Sequence, residues 1–393
     1  MKRLIYLDNA ATTKMYPEVL EAMLPYLSDF YGNPAAIYSL AGESAKAVSK
    51  AREQIAGLLG ARKEEIYFTA GGSESDNWAL KAVAERLSAK GKHIITSKIE
   101  HHAILHTCAY LEQQGFQVTY VDVDEQGVLK VDKLREAIRP DTILISVMAA
   151  NNEVGTLQPL KEIGQLAKEK GILFHTDAVQ TFGHIPLDVE ELHIDLLSAS
   201  AHKLHGPKGV GILYIRRNVK LPAFMHGGAQ ERHRRAGTLN VPGIVGFGKA
   251  AEIIASRMTE NEMNVSALRD YLIERVLTEI PYSRLNGSPD KRLPGNVSFC
   301  FSFIEGESLL LLLNQQGICG SGGSACTTGE EGPSHVLSAM GVSKELAKGV
   351  LRLTLSEWTT KEELDITVEA LKETVQKLRS MSVEYEAFLK KQS

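Results

Sequence analysis

The run Asp195-Leu-Leu-Ser-Ala-Ser200, released directly into Ala201-His202-Lys203, is the stretch whose reading decides the fold. It is short, continuously apolar and closed by small residues. Strands buried on both faces look like this, and they belong to parallel sheets covered by helices. Similar runs lie on either side, and strands are predicted at 65–69, 93–97, 117–121, 142–148, 172–176, 195–200 and 210–215. Helix-patterned segments separate most of them, at 77–89, 103–114, 131–139 and 160–170. The pattern predicts an α/β fold whose large domain holds a mostly parallel seven-stranded sheet covered by helices. Downstream, 251–264 reads as a polar helix bridging to a smaller α+β unit. That unit combines strand-like 296–302 and 350–355 with helices, the last running from about 361 to 388. A chain of 393 residues has room for both units.

Composition narrows the function classes. With 44% hydrophobic and 23% charged residues the chain falls among soluble globular proteins. A net charge of −4 gives no general attraction to nucleic acid or to an anionic membrane, so neither is expected as a direct partner. The first residues hold too short an apolar run for a signal peptide, and Leu309 to Leu313 is too short to span a bilayer. Cys108, Cys300, Cys319 and Cys326 are scattered, with no C-x-x-C and no disulfide framework, which fits a cytoplasmic protein with reduced thiols.

The polar residues of interest all leave the carboxyl ends of predicted strands. Ser73 follows the first strand, His101 the second, Asn152 the fourth, Asp177 the fifth, and His202 and Lys203 the sixth. In open parallel sheets that rim is where ligands bind. Gly71-Gly72-Ser73-Glu74-Ser75 sits between a strand and a helix and reads either as an N-cap turn or, with Ser200 and His202, as a cup for a phosphate. A lysine and a carboxylate on one rim match what pyridoxal phosphate needs, an amine for its aldehyde and an anion for its ring nitrogen. Taken singly, Asp177 is equally a helix cap and Lys203 a lysine at a surface turn; Gln180 and His202 beside them favour the joint reading. His101 fits a ring stacked on a flat cofactor better than a zinc ligand, for which regular Cys or His spacing is missing. Cys326, in Gly323-Ser-Ala-Cys-Thr327, is set among glycine, serine and threonine, the surroundings of a reactive loop thiol rather than of a packed one. Cys108 and Cys300 sit in apolar patterns and read as packing residues, while Cys319 stays open. Arg352 interrupts an apolar strand, so it either faces water from an edge strand or is buried against a carboxylate.

These motifs, with Tyr6-Leu-Asp-Asn-Ala-Ala-Thr-Thr13, Asn151-Asn-Glu-Val-Gly155, Arg235-Ala-Gly-Thr238 and Pro333-Ser-His-Val-Leu337, occur in an order that resembles the cysteine desulfurases of the NifS/IscS type. That group lies within the class V aminotransferases, among the fold-type I pyridoxal-phosphate enzymes, and the resemblance runs nearly end to end. It implies that Lys203 links covalently to pyridoxal 5'-phosphate, Asp177 pairs with the ring nitrogen and Gln180 meets the phenolic oxygen. His101 stacks on the ring and relays protons, and Gly72, Ser73, Ser200 and His202 hold the phosphate. Asn152 borders cofactor and substrate, and with Arg352 binds the carboxylate of L-cysteine. Thr238 reaches the phosphate of the neighbouring subunit in a homodimer. Cys326 takes the sulfur as a persulfide, leaving L-alanine. It passes that sulfur to an acceptor protein such as an iron–sulfur scaffold or a tRNA-thiolation enzyme, and doubles as an iron–sulfur ligand shared with the scaffold. The resemblance also implies a large domain of residues 15–258 and a small one formed by 1–14 with 259–393.

Three places depart from the usual pattern. Ser73 stands where threonine is common, Cys319-Gly-Ser-Gly-Gly precedes the loop cysteine, and Gly329-Glu-Glu-Gly-Pro333 follows it. These bear on which acceptor is served more than on the reaction. Rival readings are a selenocysteine lyase, an aminotransferase that does not use the thiol, and a cofactor-bearing relay protein that mainly docks a scaffold. A Cys/His metal module is disfavoured by the scattered cysteines.

Overall fold

The computed structural model describes residues 4–228, 230–322 and 334–392. In chain order its first part holds β1 (Ile5–Tyr6), α1 (Pro17–Met23), α2 (Pro25–Ser28), α3 (Ser39–Gly57), β2 (Ile66–Thr69), α4 (Gly72–Leu87), β3 (His93–Ser97), α5 (His102–Gln113) and β4 (Gln117–Val121). Next come α6 (Val131–Ala137), β5 (Thr142–Ser146), α7 (Leu160–Lys170), β6 (Leu173–Asp177), β7 (Leu196–Ser200) and β8 (Gly211–Ile215). The remainder is α8 (Val241–Glu279), β9 (Ser283–Leu285), β10 (Asn296–Phe301), α9 (Gly306–Gln315), β11 (Ile318–Cys319), α10 (His335–Ala339), α11 (Lys344–Ala347), β12 (Val350–Thr354), α12 (Lys361–Ser380) and α13 (Val383–Gln392). Among the described residues, no helix is long and apolar enough to cross a membrane.

Seven strands form the main sheet in the order β2-β8-β7-β6-β5-β3-β4. Six point the same way, while β8 is antiparallel to both its neighbours, β2 and β7. β3, β5, β7 and β8 are buried along their whole length, as their unbroken apolar runs require. The predicted helix at 77–89 begins earlier, at Gly72, so the glycine–serine segment read as a turn is the first turn of α4 itself. The predicted bridge at 251–264 is the middle of α8, one helix of 39 residues. Its first half, from Val241 to Ile254, packs into the core beneath the main sheet, while Val265, Leu272 and Val276 enter a second core. That second core is built on the sheet β12-β10-β9 and takes in Ile5 and Leu7 from the chain's start. The long final helix predicted from 361 is two helices, α12 and α13, parted at Met381 and Ser382.

One loop is held against its own conformational preference. Glu231, Arg232 and His233 have φ of 44°, 57° and 64° in succession, with no glycine among them. Such left-handed residues cost about 1–2 kcal/mol each. The buried Glu231 carboxylate offsets this by accepting from Arg52 and, at 2.9 Å, from the backbone N–H of Phe68 on β2. Arg52 also donates to the Ile66 carbonyl at 2.7 Å. Arg52→Met strands a buried carboxylate, so it should cost about 3–5 kcal/mol. Thermal melting should show the loss, and limited proteolysis should show new cleavage around 231–238; unchanged melting and cleavage would sink this account of the loop.

Candidate active site

A cavity of about 410 Å³ opens at the carboxyl ends of β5, β6 and β7, below the amino end of α4. Ten residues singled out in the sequence line it: Gly72, Ser73, His101, Asn152, Asp177, Gln180, Ser200, His202, Lys203 and Arg352. Thr238 does not line it; that residue is exposed, in a segment tied to α4 by an Arg235–Glu74 ion pair of 2.8 Å. Cys326 lies outside the described residues. Each of the three described cysteines has its thiol pushed up by burial, so none has the lowered pKa of a reactive thiolate.

Lys203 follows β7 on a single 3₁₀ turn, which swings its side chain back over the strand end. Its Nζ donates to the carbonyl oxygens of Ala10 and Ala11, the latter at 2.9 Å. Gln180 donates to the same Ala10 oxygen at 3.0 Å. Sequence reasoning assigned no role to Ala10 or Ala11, and could not have done so, because only their main-chain oxygens take part. Carbonyls hold the amine by hydrogen bonds without neutralising it as a carboxylate would.

Asp177 ends β6 and is buried, which pushes its carboxyl above the ordinary range; His101, the Val179 N–H at 2.9 Å and Lys203 pull it back. His101 caps α5, its Nδ1 accepting from the Ala103 N–H at 3.1 Å. The preceding residue, Glu100, fixes that corner by accepting from Ser97 Oγ at 2.5 Å and the Met148 N–H at 3.0 Å, although burial pushes its carboxyl up to about 8. His335 Nε2 donates to the Glu100 carbonyl at 3.0 Å, and Ser334 donates to Glu153 at 2.5 Å.

At the other end the site is built for an anion. The first turn of α4 presents N–H groups with no acceptor inside the helix, beside Ser73, Ser200 and His202. His202 is pushed down to about 4, by burial first and then by Lys203 and Lys208, so its ring is neutral near pH 7. Its Nδ1 lies 3.2 Å from Thr12 Oγ1.

Arg352 resolves one of the open alternatives. Although β12 is an edge strand, the side chain is buried, and a carboxylate does meet it: Asp8 Oδ1, 3.0 Å from Nη2. Nη1 donates to the Asn152 carbonyl at 2.9 Å, while Nε has no partner among the described residues. A buried, cavity-facing guanidinium with an unused N–H is equipped for a ligand carboxylate.

A family model described as aminotransferase class-V matches residues 5–367. The chain belongs to the class-V aminotransferase family. Within that family it is 57% identical over 378 residues to the cysteine desulfurase IscS of Methanosarcina thermophila, covering 96% of this chain and 93% of that one. It is 52% identical to the cysteine desulfurase IscS of Dictyoglomus turgidum, with 97% of each chain covered. Among solved structures, a NifS-like protein superposes with a TM-score of 0.90 at 41% identity, over 96% of this chain and 100% of its own. The structure described as SspA in complex with cysteine gives 0.81 at 38% identity, over 92% and 100%.

In this family member, the anion end depends on close approach at Gly72. A Cβ there would lie 2.5 Å from Cγ2 of Val179, a residue that lines the cavity. Gly72→Ala should force Val179 aside at a cost of about 1–3 kcal/mol. Ligand affinity at the site should fall, and Val179→Ala in the same chain should restore much of it. Strictly additive losses in the double variant would contradict the clash.

Proposed function

We propose that this protein is a cysteine desulfurase that uses pyridoxal 5'-phosphate to take sulfur from L-cysteine. The products are L-alanine and a persulfide on Cys326. The observation that carries the reading is the convergence of Lys203, Asp177, Gln180, His101 and Arg352 on one cavity that ends at a helix amino terminus. A site for a flat, phosphorylated aldehyde needs an amine, an anion for the ring nitrogen, a stacking ring and a phosphate cradle, and the donor set here fits all four. When bound, that cofactor supplies an electron sink for the substrate's α-carbon.

The chain's own residues would do the rest. Lys203 holds the cofactor, Asp177 keeps its charge towards the ring nitrogen, and Gln180 donates to the phenolic oxygen. His101 stacks on the ring. Ser73, Ser200, the neutral ring of His202 and the first turn of α4 beginning at Gly72 take the phosphate. Arg352 and Asn152 hold the substrate carboxylate, with Asp8 keeping the guanidinium in place until substrate arrives. Lys203 then moves protons to and from the α-carbon. The Cys326 thiolate attacks the substrate sulfur, a sulfur–sulfur bond forms as the carbon–sulfur bond breaks, and the electron pair left on carbon is protonated to give alanine.

The same reading gives residues 15–258 as the cofactor-binding unit and residues 1–14 with 259–393 as the smaller one. It makes the protein a cytoplasmic homodimer, with Thr238 completing the neighbour's phosphate site. The exposed apolar side chains of Leu20, Leu24, Leu27 and Tyr31, in and beside α1 and α2, support burial against a second copy. Cys326 would hand its sulfur to an iron–sulfur scaffold or a tRNA-thiolation enzyme, and with a scaffold would also serve as an iron–sulfur ligand.

Two variants test the reaction together. Lys203→Ala should lose both the visible band of bound cofactor and all alanine production. Cys326→Ser should keep the band while sulfide release falls by orders of magnitude, because a hydroxyl is not ionised near neutral pH. Near wild-type desulfuration by either variant refutes the reading. For the dimer, mixing Lys203→Ala chains with Thr238→Ala chains should restore activity through heterodimers with one intact site. Demonstrated heterodimers without recovery would place Thr238 outside the neighbour's site.

A further inference from the structure

The cavity is also lined by a carboxylate, Asp76, that the proposed reaction does not use. Asp76, on the second turn of α4, is buried, and its ligand atoms lie within 4.8 Å of those of Asp177 and His101. Its Oδ1 has no hydrogen-bond partner among the described residues. His175 on β6 brings its Nε2 to 3.7 Å from that oxygen. Both nitrogens of that ring are taken by hydroxyls, Ser146 Oγ at 2.8 Å and Ser198 Oγ at 3.0 Å, and burial pushes the imidazole down to about 3. His175 therefore supplies Asp76 with no cation. Asp177, by contrast, faces His101 and Lys203 and accepts the Val179 N–H.

We propose that Asp76 is a positioning residue: it holds the one proton that the two carboxylates share, so that Asp177 is the member of the pair that carries the negative charge. The inference rests on the cofactor reading of that cavity. Two buried carboxylates this close cannot both ionise at low cost, and the proton stays on the one with less compensation. Burial, the charge of Asp177 and that of Glu100 all push Asp76 upward, and only the Ser198 hydroxyl opposes them. The neutral acid keeps an O–H to donate and leaves a single negative charge at the ring-nitrogen end of the site.

The sign of the pH effect follows. An acid whose folded-state pKa is raised keeps its proton at a pH where the unfolded chain has lost it. The folded protein then loses stability as pH rises above the ordinary aspartate value of about 4. Asp76→Asn removes this slope. Glu100, Asp195 and His175 remain in both proteins, so the difference between the two melting curves reports the Asp76–Asp177 pair, whose shared proton Asp76→Asn removes.

The experiment uses the full chain, freed of cofactor, melted from pH 5 to pH 8. Asp76→Asn should melt higher than wild type, by a margin that widens as pH rises. A variant less stable than wild type by a constant amount at every pH would overturn the proposal. Should the variant not fold, the wild type alone decides. With aspartate carboxyls labelled in ¹³C, which excludes Glu100, its infrared spectrum at pH 7 should contain a protonated carboxyl band; absence of that band rejects the proton-holding role. With cofactor added back, Asp177→Asn should lose more affinity than Asp76→Asn, and the reverse order also overturns the assignment. The melting difference does not depend on cofactor or cysteine, so a wild-type protein that bound neither would refute the functional reading and leave this result standing.

Discussion

The site depends on a strap of chain, residues 5–13, pinned at both ends. At one end β1 pairs with β11, and the Leu7 carbonyl accepts from the Thr354 N–H at 2.7 Å, fixing the strap to the second core. At the other, the Thr13 N–H and hydroxyl both donate to the His202 carbonyl at 3.0 Å, fixing it to the turn that bears Lys203. Between the pins, Asp8 meets Arg352 and the carbonyls of Ala10 and Ala11 receive Lys203 and Gln180. A single hydrogen bond contributes only about 0.5–1.5 kcal/mol net, but leaving such buried groups unpaired costs more. The position of one core relative to the other is thus coupled to where the lysine amine and the arginine guanidinium sit.

Charge is distributed along the cavity with the same economy. Carboxylates gather at the end of β6 and below it, where Asp177, Asp76 and Glu100 are all buried and raised by that burial. The anion end instead combines a helix amino terminus, hydroxyls and a neutral imidazole. A ligand cationic at one end and phosphorylated at the other is oriented by this arrangement before any residue moves.

Much of this was legible in the sequence, for identifiable reasons. The seven strands of the main sheet are continuous apolar runs, so most of their boundaries fall within one or two residues of the observed ones. Strand ends then put Asp177, Ser200 and Lys203 on one rim without further information. Arg352 declared its need for a carboxylate, but Asp8 lies 344 residues away and nothing in its local pattern marks it as the partner. The start of α4 was hidden because Gly71-Gly72-Ser73 is equally good turn chemistry. Asp76 was hidden by its neighbours, since a polar residue one turn into a helix is ordinarily solvated and only the fold buries it.

Single-turnover mass spectrometry of the unmodified protein tests the central claim most directly. Mixed with one equivalent of L-cysteine per chain and quenched, the protein should gain one sulfur atom, mapped by peptide digestion to Cys326, with one alanine released for each sulfur gained. Alanine without added sulfur on the protein, or sulfur placed on Cys108, Cys300 or Cys319 instead, would contradict the account.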